Sequence, residues 1–152
     1  MREIVYLDIC CFKRPFDDAT KLRGRREAEA VAGLLDAAKR GIVQLVRSPA
    51  HDIENERNPR EDRRLATRLW LEAAERKLSP NKDAADRARE LTARGFSPLD
   101  ALHLAFAEQS AAQWFVTTDD RLLSRAQKYG DDLKVGVINP EQALVSLQGG
   151  EE

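Results

Sequence analysis

The sequence predicts an α/β fold: a three-layer α/β/α sandwich around a central, mostly parallel sheet of about four to five strands. Three observations point there. Short runs rich in β-formers alternate with longer stretches of helical periodicity along the whole chain. The short runs are nearly continuous in apolar character, as strands covered on both faces are. The segments between them are long enough for the crossover helices that parallel neighbours require.

Residues 3–9, EIVYLDI, read as the first strand. Residues 25–40 place Ala28, Val31, Leu34, Leu35 and Ala38 at helical spacing, and Gly41 follows as a stop. IVQLV at 42–46 is the second strand. Helical pieces cover 49–57 and 60–76, broken at Asn58 and Pro59, because the residue before a proline is pushed out of the helical region. Residues 81–95 open on an asparagine suited to capping and close on glycine. Residues 97–111 open on Ser97, with Pro98 at the first helical position. WFVTT at 114–118 is the third strand, 119–130 a further helix and LKVGVIN at 133–139 the fourth strand; Pro140 opens a last short helix. No repeat or low-complexity linker interrupts this order, so residues 1–148 are expected to form one domain, with 149–152 a disordered tail.

At 152 residues, with 42% hydrophobic and 34% charged, the chain can build its own core and is too apolar for disorder. No apolar run approaches the roughly 20 residues that span a bilayer, and no signal-peptide pattern opens the chain. A cytoplasmic setting with no membrane partner is therefore expected. Cys10 and Cys11 are neighbours, where a disulfide would be strained; they read as reduced packing thiols and are too few for a structural zinc site. A net charge of −1 gives no global basic signature for nucleic acid, and the basic runs at 21–26 and 57–68 read as solvated helix faces. Neither GxxxxGK[ST] nor GxGxxG occurs, which removes the nucleotide-binding loops of those kinds.

What remains is a set of acids. Each has a structural explanation when taken alone. Asp8 can start a turn, Asp100 completes a capping box with Ser97, Asp119 and Asp120 suit a helix N-terminus, and Asp52, Glu54 and Glu56 suit a solvated face. Their joint placement argues otherwise. Asp8 ends the first strand and Asp119 the third, and open parallel sheets bind ligands beyond the carboxyl ends of their strands. Carboxylates gathered there repel, and a divalent cation with oxygen ligands, Mg²⁺ above all, resolves the repulsion.

The stretches YLDICCFKRPFDD, SPAHDIENERNP, GFSPLDALHLAFAEQ and FVTTDDRLL resemble, in order and spacing, the motifs of PIN-domain proteins from residue 3 to about 145. These are metal-dependent ribonucleases and include the VapC-type toxins of bacterial toxin–antitoxin modules. The resemblance implies catalytic acids at Asp8, Glu54, Asp100 and Asp119, with Glu56 as the alternative to Glu54. It implies one or two Mg²⁺ or Mn²⁺ ions on Asp8, Asp100 and Asp119, with Asp120 as an extra ligand. Thr117 falls where the family often has a hydroxyl near the site. Many relatives read Leu-Asp-Thr-Asn at the first motif, whereas Ile9 and Cys10 follow Asp8 here.

Lys13, Arg14 and Arg121, near the strand ends, are expected to grip flanking phosphates of an RNA substrate. His103, one turn past Asp100, reads as a packing histidine, with substrate contact as its alternative. The resemblance further implies a homodimer, here through the helices around 28–38 and 62–76, and a small antitoxin that sets a cation in the acidic site. Trp70 is open between interface and core. Two other readings stand beside the ribonuclease: an interaction module of this fold without chemistry, and a haloacid-dehalogenase-like phosphatase. The phosphatase needs a second aspartate two residues after Asp8, where Cys10 stands.

Overall fold

The computed structural model describes residues 3–13 and 21–150. Strand β1 (Glu3–Leu7) leads into a one-turn helix α1 (Ile9–Lys13), then α2 (Leu22–Lys39), β2 (Val43–Arg47), α3 (Pro49–Glu56) and α4 (Glu61–Ala73). A two-residue strand β3 (Arg76–Lys77) precedes α5 (Lys82–Ala93), α6 (Pro98–Gln109), β4 (Trp114–Val116), α7 (Asp120–Tyr129), β5 (Gly136–Ile138) and α8 (Pro140–Gly150). The five strands form one sheet in the order β3-β2-β1-β4-β5, and every neighbouring pair is parallel.

The strands differ from the sequence reading in extent: β2 is shifted by one residue, β4 stops at Val116 rather than 118, and β5 covers only Gly136–Ile138 of 133–139. β1 stops at Leu7 rather than residue 9, because Asp8 turns the chain. Its Oδ1 accepts the Ile9 N–H at 2.8 Å and its backbone carbonyl accepts the Cys11 N–H at 2.9 Å, which starts α1 at once. β3 lies just beyond α4, where helix was expected to run to 76; both of its residues are basic and exposed, so no apolar pattern marks it.

The sheet separates two cores by the alternation of its side chains. Val5 and Leu7 of β1, Val43 and Leu45 of β2 and Val116 of β4 pack with Val31 and Leu34 of α2. Tyr6, Val46 and Phe115 face the other way, onto Leu91 of α5 and Leu104 and Phe106 of α6. The helix ends follow the expected chemistry. Gly41 turns the chain out of α2 with φ 74°, Asn81 Oδ1 accepts the Ala84 N–H at 2.9 Å, and Ser97 Oγ accepts the Asp100 N–H at 3.2 Å. Trp70 is half-buried against the α2 core, with the Lys39 ammonium 5.4 Å from its ring centre. Among the described residues no helix is long and apolar enough to cross a membrane.

β1 is the central strand, and the chain goes from it first to β2 on one side and later to β4 on the other. The crevice beyond the ends of β1 and β4 is thus the switch point where an open parallel sheet offers room for a ligand.

Candidate active site

Asp8 directly follows the last residue of β1, at that switch point, and is only 6% exposed. Its N–H donates to the Val116 carbonyl at 2.9 Å, which locks the end of β1 to the end of β4. Asp8 Oδ2 accepts the Thr117 hydroxyl at 2.8 Å, and the same hydroxyl oxygen accepts the Asp119 N–H at 3.1 Å. One fully buried threonine therefore fixes two acids relative to each other. Asp119 is the N-cap of α7: its Oδ1 accepts the N–H groups of Arg121 at 2.9 Å and Leu122 at 3.3 Å, and the carboxylate is exposed.

Asp100, in the first turn of α6, is half-buried. Its carboxyl is held above the usual carboxylate range, first by burial and then by the charges of Asp8 and Asp119, so the three acids lie within electrostatic reach of one another. Asp8 is raised too, chiefly by burial, with Glu54 adding to the shift and His103 opposing it.

Glu54, His103 and Asp8 each bring a ligand atom to within 4.8 Å of the other two. Both nitrogens of His103 are already engaged. Nε2–H donates to Glu54 Oε1 at 2.9 Å, which leaves Nδ1 to accept the Tyr6 hydroxyl at 2.6 Å; Tyr6 in turn accepts from Ser48 Oγ at 2.6 Å. His103 thus orients the Glu54 carboxylate and has no exposed surface. His51, equally buried, joins two elements. Its Nδ1 accepts the Ser48 N–H at 3.1 Å and its Nε2–H donates to the Leu7 carbonyl at 2.7 Å, tying the start of α3 to the residue before Asp8. Sequence reasoning had no role for His51 or Tyr6. The available signals were a hydroxyl inside an apolar strand and a chain with only two histidines, both of which end in this network.

The other expected residues are distributed as follows. Glu56 points away and pairs with Arg68 at 2.6 Å, so Glu54 is the acid brought to Asp8. Asp120 is held by both arms of the Arg23 guanidinium, at 2.8 and 2.6 Å. Thr117 is at the site but faces no solvent. Lys13 is half-buried at the end of α1, Arg121 is exposed on α7, and Arg14 lies outside the described residues. Cys10 Sγ stands 3.4 Å from both Asp8 Oδ2 and Thr117 Oγ1, filling the place beside Asp8. Cys11 is buried, its thiol pushed up by burial, and it points at the Val116 carbonyl.

The family model of the PIN domain matches residues 18–129, which include Glu54, Asp100 and Asp119 and begin after Asp8. Among solved structures, the fold is similar to that of FitAcB from Neisseria gonorrhoeae, with a TM-score of 0.58 at 18% identity over 90% of this chain and 97% of that one. It is also similar to that of PAE2754 from Pyrobaculum aerophilum, with a TM-score of 0.55 at 21% identity over 98% and 99% of the two chains. No curated protein matches the sequence.

Proposed function

The chain belongs to the PIN-domain family, and from that premise we propose that it is a metal-dependent endoribonuclease acting at Asp8, Glu54, Asp100 and Asp119. The observation that carries this reading is the unequal pairing of its acids. Asp52, Glu56 and Asp120 each meet an arginine. Asp8, Asp100 and Asp119 lie within electrostatic reach of one another at the end of the sheet and meet no lysine or arginine among the described residues, although the ligand atoms that already stand within 4.8 Å of one another are those of Asp8, Glu54 and His103. Burial and mutual repulsion make such a cluster costly unless a cation completes it.

The carboxylate donors fit Mg²⁺ or Mn²⁺, hard ions that take oxygen ligands and keep several waters. Asp8, Asp100 and Asp119 would hold the ion, with Glu54 binding or orienting through water; Asp120 joins them only by exchanging Arg23 for the ion. Once bound, the metal lowers the pKa of a water and neutralises charge developing at the phosphorus. The chain's own part is positional. Thr117 fixes Asp8 against Asp119, and His103 aims the Glu54 carboxylate by donating from Nε2. Lys13 and Arg121 flank the crevice as phosphate contacts, a role we extend to Arg14.

The reading is tested with end-labelled RNA. Cleavage should require Mg²⁺ or Mn²⁺ and stop in EDTA; cleavage that persists in EDTA excludes it. Retained metal binding without cleavage would instead favour the interaction module. We assign the exposed Leu65 and Leu69 of α4 to a homodimer interface, with the crevice left open to RNA or to a cationic segment of a small antitoxin. Light scattering that finds a monomer throughout the micromolar range would remove that assignment.

A further inference from the structure

Helix α7 changes sign along its length. It starts at Asp119 and Asp120, and then carries Arg121, Arg125 and Lys128, spaced i, i+4 and i+7 on one face and all exposed. These three, with Asp120 and Ser124, line a shallow groove running away from the acidic site.

Many of the arginines of the molecule are engaged by acids. Arg23, Arg47, Arg68, Arg87 and Arg94 each meet a carboxylate. Among the described residues Arg121, Arg125 and Lys128 meet none. The helix dipole does not account for them either. It favours Lys128 in the last turn, but Arg121 stands in the first turn, where positive charge is disfavoured. Arg125 is also seated: a Cβ added at Gly95 would lie 2.5 Å from its Nη1, so the guanidinium lies over bare backbone just ahead of α6, the helix of Asp100.

We propose that Arg121, Arg125 and Lys128 form a track for the phosphodiester backbone of RNA, leading one strand out of the acidic site along α7. The proposal rests on the ribonuclease reading and adds Arg125 and Lys128 to the substrate-binding residues. The dimensions suit it. At about 1.5 Å per residue the seven positions from Arg121 to Lys128 span roughly 10 Å, the axial length of about three phosphates of one helical strand. No aromatic or aliphatic side chain lines the groove, which suits a charged backbone rather than stacked bases or an apolar peptide. With a net charge of −1 the protein has no overall attraction for RNA, so an unpaired local row of cations sets the direction in which the strand lies.

The test is fluorescence anisotropy of a labelled single-stranded RNA with the full chain, in EDTA so that nothing is cut, across a salt series. The Arg125→Gln/Lys128→Gln pair should bind roughly tenfold more weakly at low salt, and its log–log salt slope should be shallower by about 1.4, the loss of two phosphate contacts at about 0.7 each. The charge-retaining pair Arg125→Lys/Lys128→Arg should restore both. Wild-type affinity and slope in the glutamine pair would overturn the track, as would absence of RNA binding by the wild type at low salt. Because binding is read without metal, the outcome is separate from the nuclease reading. Asp100→Asn should still bind RNA while failing to cut it, and an Asp100→Asn protein that cuts normally would sink the nuclease reading and leave the track standing.

Discussion

Replacing Asp100 with asparagine is expected to lower RNA cleavage by about a hundredfold or more, the scale on which removal of a charge-stabilising group slows a reaction. The fold should survive. The capping bond from the Asp100 backbone N–H to Ser97 Oγ is kept, and an asparagine amide can still pair with the Ser97 hydroxyl that bonds the carboxylate. The carboxyl itself is unfavourable where it stands, raised by burial and by Asp8 and Asp119, so removing its charge relieves repulsion in the metal-free protein. A thermal melt in EDTA should therefore hold or rise while the cleavage rate collapses. If Asp100 were only a helix cap, the pattern would invert: activity would hold, and stability would fall by roughly 1 kcal/mol or less.

The second large effect falls on stability and comes from His51. His51→Leu leaves the Leu7 carbonyl and the Ser48 N–H without partners in the protein interior, at about 1–3 kcal/mol each. A loss of about 2–6 kcal/mol is expected, read from denaturant midpoints at pH 7. The pH dependence identifies the cause. Burial, together with the nearby His103, lowers the His51 pKa from 6.5 to about 3, so the folded state holds the ring neutral. Between those values the unfolded chain binds a proton that the folded chain refuses. The contribution of His51 is complete above pH 6.5 and is lost progressively as pH falls toward about 3. Asp8 and Asp100, whose pKa values are raised, act in the opposite sense and stabilise on acidification. Subtracting the His51→Leu profile from that of the wild type cancels the carboxyls and isolates the histidine. A flat difference between pH 7 and pH 4 would show that His51 is not held neutral.

The contrast between these two residues marks how far the sequence could be read. Asp8, Asp100 and Asp119 were legible because each stands at a strand end or helix start that a parallel fold must bring to one edge, with Thr117 between them. Glu54 and Glu56 could not be separated. Two positions on a helix are about 200° apart, and nothing in eight residues fixes which side is buried. The structure decides it through His51 and Asn55, which turn that face of α3 inward and leave Glu56 to Arg68. The roles of Tyr6, His51 and His103 were illegible for a different reason. Each has a partner 42 to 97 positions away, and local patterning carries no trace of such bonds. Ile9 looked like more strand because it is a good β-former; the Asp8 carboxylate captures its N–H and a helix starts there instead.

Whether Asp8, Asp100 and Asp119 share a divalent ion is tested by anomalous diffraction at the manganese edge from crystals soaked in Mn²⁺. A peak is expected at about 2.1 Å from a carboxylate oxygen of each of the three acids, lost in Asp100→Asn crystals soaked in the same way. Peaks only elsewhere on the molecule, with this site empty at saturating Mn²⁺, would contradict the shared site.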